Sequence, residues 1–98
     1  MVENVSTRER RSARRFMRRL EFQVEIGSNS FQCETLDISM TGMSLSQPLP
    51  EWAGKSFRAE LHCNGETIGI FCARVNEKKL RILEADSWEL VRKWIVSW

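Results

Sequence analysis

Phe57-Arg58-Ala59-Glu60-Leu61-His62-Cys63-Asn64-Gly65-Glu66-Thr67-Ile68-Gly69-Ile70-Phe71-Cys72 folds back on itself at its centre. Asn-Gly suits the two middle positions of a type I′ turn, which need positive φ and carry the same twist as the strands they join. Closing the chain at Asn64-Gly65 sets Leu61 opposite Ile68, Ala59 opposite Ile70 and Phe57 opposite Cys72. Every pair on that face is apolar, so register and core face agree. His62 falls on the other face, a surface or structural position. The same register separates Cys63 from Cys72 and argues against a disulfide between them.

On either side of the hairpin the pattern remains that of short strands. Leu20, Phe22, Val24 and Ile26 alternate with Glu21, Gln23 and Glu25, the signature of a half-buried strand. Gly27-Ser28-Asn29-Ser30 is turn chemistry, and residues 31–38 read as a second strand. Thr41-Gly42 marks a tight turn before a short strand at 43–46. Residues 47–54, with Pro48 and Pro50, form a loop over which Trp52 folds. Beyond the hairpin, 79–83 is a further strand. Asp86 stands three residues before Glu89, a capping-box spacing, and Leu90, Val91, Trp94, Ile95 and Trp98 form the apolar face of a helix over 86–98. Five or six short strands at this spacing predict a mainly β fold, a small closed antiparallel barrel ending in an α-helix.

The 98 residues suffice for one domain. No apolar run is long enough to span a membrane and no signal-like segment opens the sequence, which predicts a cytoplasmic protein. Cys33, Cys63 and Cys72 form no CxxC pair, so reduced core thiols are expected and no metal site. The charge is unevenly spread. Residues 1–20 carry seven arginines (Arg8, Arg10, Arg11, Arg14, Arg15, Arg18, Arg19) against Glu3 and Glu9, a net +5; the other 78 residues carry a net −3. The expected organisation is a flexible, basic arm over 1–19 on a slightly acidic barrel over 20–98. Such an arm seeks an anionic partner: nucleic acid, a phosphorylated ligand or the acidic body itself.

Two constellations carry chemistry. Asp37-Ile38-Ser39-Met40-Thr41-Gly42 lies where a strand runs into a turn. One carboxylate can accept both the N1–H and N2–H donors of guanine, which suits Asp37. The Ser39 hydroxyl is then available to a second edge or a phosphate, and Gly42 permits positive φ or a close backbone approach. Taken alone, the same pattern also fits an Asx-type turn at a strand end. The second constellation is Arg11 and Arg15, spaced RxxxR, with Arg10 just before. Guanidinium groups bind phosphate bidentately and stack on purines, so closely spaced arginines can clamp a nucleotide. A solvated basic tail is the alternative. Arg10/Arg14, Arg14/Arg18 and Arg15/Arg19 share the spacing; Arg11/Arg15 fits the distance to the first strand best.

In combination, Glu9-Arg10-Arg11-x-x-x-Arg15, the strand at Leu20, and Asp37-x-Ser39-x-x-Gly42 twenty-two residues after Arg15 resemble the PilZ family of cyclic di-GMP receptors. The likeness runs over about residues 9 to 97 and includes Met43-Ser44-Leu45 and the hairpin ending Ala73-Arg74-Val75. The resemblance implies a bacterial protein with a six-stranded barrel and a C-terminal helix. It further implies that Arg11 and Arg15 contact phosphates and stack on guanine, that Asp37 and Ser39 read a guanine, and that Gly42 completes the site. Arg10 marks members suited to an intercalated dimer of the ligand. Arg14 and Arg74 are secondary candidates, Arg74 being better suited to a strand-end salt bridge. Lys79-Leu80-Arg81-Ile82 departs from the family in lacking the usual Gly and Phe.

No nucleophile–base pair, metal cluster or phosphate-cradling glycine loop can be assembled, so no enzyme, cofactor or metal is expected. The expected function is a cyclic di-GMP receptor whose arm changes conformation on binding and signals to an effector protein in trans. One alternative is a small nucleic-acid-binding barrel, disfavoured because there are no tyrosines and the phenylalanines alternate into the core. The other is a ligand-independent adaptor, disfavoured by the intact arginines, Asp37 and Ser39.

Overall fold

A computed structural model describes residues 15–96 of the chain. Six strands close into an antiparallel barrel: β1 (Glu21–Ile26), β2 (Asn29–Ile38), β3 (Gly42–Leu45), β4 (Ser56–Cys63), β5 (Glu66–Asn76) and β6 (Lys79–Ala85). Their order around the barrel is β1-β2-β3-β6-β5-β4. The helix α1 (Trp88–Val96) follows, and buries Val91, Trp94 and Ile95. Among the described residues, no helix is long and apolar enough to cross a membrane.

The Asn64-Gly65 hairpin has the register its sequence dictates, pairing Leu61 with Ile68, Ala59 with Ile70 and Phe57 with Cys72. Asn64 and Gly65 both take positive φ, 52° and 81°, as a type I′ turn requires. Those inward residues join Leu20, Phe22, Val24, Ile38, Met43, Leu45, Leu80 and Ile82 in one core. The three cysteines are free thiols. Burial pushes the Cys72 thiol up to about 12, so it behaves as a small apolar side chain. His62, on the outer face, meets the Thr67 hydroxyl through Nδ1 at 2.9 Å.

Several boundaries differ from expectation for local reasons. The β1–β2 turn uses two residues, Gly27 and Ser28, because Ile26 already pairs with Asn29; β2 therefore starts two residues before the expected 31. Strand β3 begins at Gly42 and β6 continues to Ala85, and β6 closes the barrel by pairing with both β3 and β5 despite its unusual sequence. The loop at 47–54 contains a short 3₁₀ turn at Glu51–Ala53. The helix is capped by Ser87 and not by Asp86: the Ser87 hydroxyl accepts the Leu90 N–H at 3.1 Å. Asp86 instead pairs with Arg58 on the barrel wall. Phe71 is half-buried on the outer parity of β5, so not every phenylalanine alternates into the core.

One irregularity in β2 positions the candidate site. Thr35 faces the core and pairs with Leu45, yet Asp37 pairs with Ser44 and Ile38 with Met43, so the register slips by one between Thr35 and Asp37. A bulge at that point reverses the alternation. Ile38 is turned inward, fully buried, and Asp37 outward, where a regular strand would have driven the carboxylate into the barrel.

Candidate functional site

The chain is held along β2 ahead of β1. Phe16 and Ile38 exchange both backbone hydrogen bonds, at 2.8 and 2.9 Å. The buried Thr35 hydroxyl accepts the Leu20 N–H at 2.9 Å and donates to the Arg18 carbonyl at 2.5 Å. Such hydrogen bonds contribute about 1 kcal/mol each. Among the described residues, backbone hydrogen bonding to the barrel thus already includes Phe16, inside the 1–19 stretch expected as an arm. Arg15 stands immediately before this anchored residue.

That anchoring brings the two constellations together. An Arg15 guanidinium nitrogen donates to Asp37 Oδ1 at 2.5 Å across twenty-two residues of sequence. The side chains are 44% and 21% exposed, so the pair sits at the surface and is worth about 0–1 kcal/mol. It is therefore readily exchanged for stronger partners. Among the described residues nothing else bonds to the carboxylate, which leaves Oδ2 free to accept. The other described arginines of this stretch point elsewhere: Arg19 donates to Glu34 at 3.1 Å, and Arg18 lies 5.7 Å from the Phe16 ring centroid. Arg10, Arg11 and Arg14 lie outside the described residues.

Ser39 and Gly42 shape the backbone beside Asp37. Ser39 is buried, and its hydroxyl oxygen takes the N–H groups of Thr41 and Gly42, both at 3.2 Å, while lying 3.3 Å from the Gly42 carbonyl. It closes the turn from inside instead of presenting an open hydroxyl, so it shapes the backbone beside Asp37. Gly42 does not take positive φ. Glycine is required because a Cβ there would stand 2.6 Å from the Leu80 carbonyl oxygen of β6. Among the described residues Arg74 has no carboxylate partner; its guanidinium donates to the carbonyls of Gly54, Pro50 and Leu49 at 3.0, 2.8 and 3.4 Å, clamping the loop before β4.

Sequence reading missed two contributors. One is Thr35: within the strand, the spacing Phe31, Cys33, Thr35, Ile38 carries the parity break that turns Asp37 outward. The second is the outward row running from Asp37 through Ser44 to Lys79, set by the β2–β3–β6 register. Among the described residues no His, Cys, Asp and Glu group could hold a metal ion.

The closed barrel thus presents an arginine–aspartate pair on its outer wall. The chain belongs to the PilZ domain family, whose model matches residues 9–80. PilZ domains are cyclic di-GMP receptor and adaptor modules. The barrel is similar to that of the Bacillus subtilis inhibitor of motility (MotI/DgrA), with a TM-score of 0.61 at 16% identity over 90% of this chain; the chain spans half the length of that protein. No curated protein matches it in sequence.

Proposed function

We propose that this chain is a cyclic di-GMP receptor that relays binding to an effector protein through its basic arm. The observation that carries this reading is the Arg15–Asp37 contact, which unites the two family motifs at one point on the barrel wall. In the proposed complex Asp37 accepts guanine N1–H and N2–H, and Arg15 turns from the carboxylate to a phosphate or purine face. Arg11 supplies the second clamp, and Arg10 the further countercharge that a stacked pair of ligands, with four phosphates, demands. Ser39 and Gly42 act indirectly, by fixing the turn that follows Asp37. Drawing the arginines ahead of Arg15 onto phosphate changes the surface offered to a partner, and that change is the signal.

Asp37→Ala tests the reading. It leaves two guanine donors unpaired in a desolvated contact and weakens cyclic di-GMP binding by about 2 kcal/mol, roughly 30-fold. The thermal midpoint stays within a few degrees, because only a surface ion pair is lost. A folded variant that binds as tightly as the wild type would remove Asp37 from the guanine-reading role.

A further inference from the structure

We infer that Lys79 and Arg81 form a second phosphate-binding wing of the same site, on β6, across Asp37 from Arg15. This inference rests on the cyclic di-GMP reading above and adds residues to it. The strand register carries it. Asp37 pairs with Ser44, and Ser44 with Lys79, so the three side chains form one row across β2, β3 and β6. Burial settles which face they share: Ile38, Met43, Leu45, Leu80 and Ile82 point into the core, and Asp37, Ser44, Lys79 and Arg81 take the opposite parity. Two strand spacings put the Lys79 backbone roughly 10 Å from that of Asp37. A lysine stem can therefore bring its ammonium group over a ligand whose guanine edge rests on Asp37. Arg81 lies opposite Gly42, which adds no side chain to the wall between them.

The electrostatics point the same way. Neither Lys79 nor Arg81 has a carboxylate partner among the described residues, whereas Arg15, Arg19 and Arg58 each do. Two cations without a carboxylate partner on one side of Asp37, and Arg15 on the other, flank that carboxylate with positive charge. The wall around β1 carries instead Glu21, Glu25, Glu34 and Glu60, with Glu21 and Glu34 directly paired across strands. A dianionic ligand anchored at Asp37 is repelled from that wall and attracted to the β3–β6 side. Ser44 separates the carboxylate from Lys79 and has a hydroxyl to offer a ribose or phosphate oxygen.

Calorimetric titration of the full chain with cyclic di-GMP tests the wing. Lys79→Ala and Arg81→Ala should each raise Kd roughly tenfold at low salt, as expected for loss of one charge-assisted phosphate contact. Lys79→Arg should bind within about twofold of wild type, and the penalty of Lys79→Ala should shrink as salt screens the charge. Both positions are exposed, so melting curves should match the wild type. Unchanged affinity in both alanine variants, alongside lost binding in Asp37→Ala, overturns the wing and leaves the receptor standing. Absence of binding by the wild type overturns both.

Discussion

Arg15→Ala raises the Kd for cyclic di-GMP about 100-fold or more, whereas Arg19→Ala changes it by no more than about threefold. The two arginines are four residues apart and both fit an RxxxR spacing, so the contrast depends on where the fold puts them. The Phe16–Ile38 bridge holds Arg15 beside the end of β2, with its guanidinium on Asp37. Arg19 lies on the acidic wall against Glu34. In the proposed complex, losing Arg15 removes a phosphate donor that the fold already positions next to Asp37, so little ordering entropy opposes its use in the wild type. It also leaves the Asp37 charge facing an anionic ligand uncompensated. Losing Arg19 removes a surface pair worth about 0–1 kcal/mol and no proposed contact. Titration of both purified variants decides the matter. Greater damage from Arg19→Ala would move the motif to Arg15/Arg19.

Gly42→Ala is expected to destabilise the barrel by about 3 kcal/mol, lowering the thermal midpoint by more than about 10 °C. The added Cβ meets the Leu80 carbonyl oxygen at 2.6 Å, and the obstacle is backbone in the paired strand. Relief requires β3 and β6 to part at the seam where Gly42 pairs with Arg81. Gly69→Ala is the informative control. Its Cβ would meet the ends of Asp86 and Arg58 at 2.5 and 2.8 Å, side chains that can swing away at the expense of one exposed ion pair. Thermal melts of the two variants should therefore separate widely. Equal, small losses would show that the β3–β6 seam yields, and that Gly42 serves some need other than closure.

Much of the barrel was legible because short strands with one wet face write their register into the sequence. The Asn64-Gly65 hairpin needed only turn chemistry and period-two alternation, and every pair deduced from it is present. Harder to read were features that depend on a neighbouring strand. The bulge that turns Asp37 outward shows only as a broken alternation, which a short strand easily hides. Gly42 and Ser39 occupy motif positions, yet their local duties, strand approach and turn closure, depend on β6 and on burial that no linear pattern states. Arg74 illustrates the same limit. Its partners are three backbone carbonyls in a loop some twenty residues away, and carbonyls carry no sequence signature. Lys79 enters the row of Asp37 only through the closure of β3 on β6, which no linear pattern states.

The receptor reading turns on whether the wild-type chain binds cyclic di-GMP, and isothermal titration calorimetry with that ligand measures it most directly. The expected result is saturable binding that reaches two ligands per chain, the stoichiometry of the proposed stacked pair, with no comparable heat from GMP. A chain that is folded by thermal melting yet gives no saturable heat with cyclic di-GMP would contradict it.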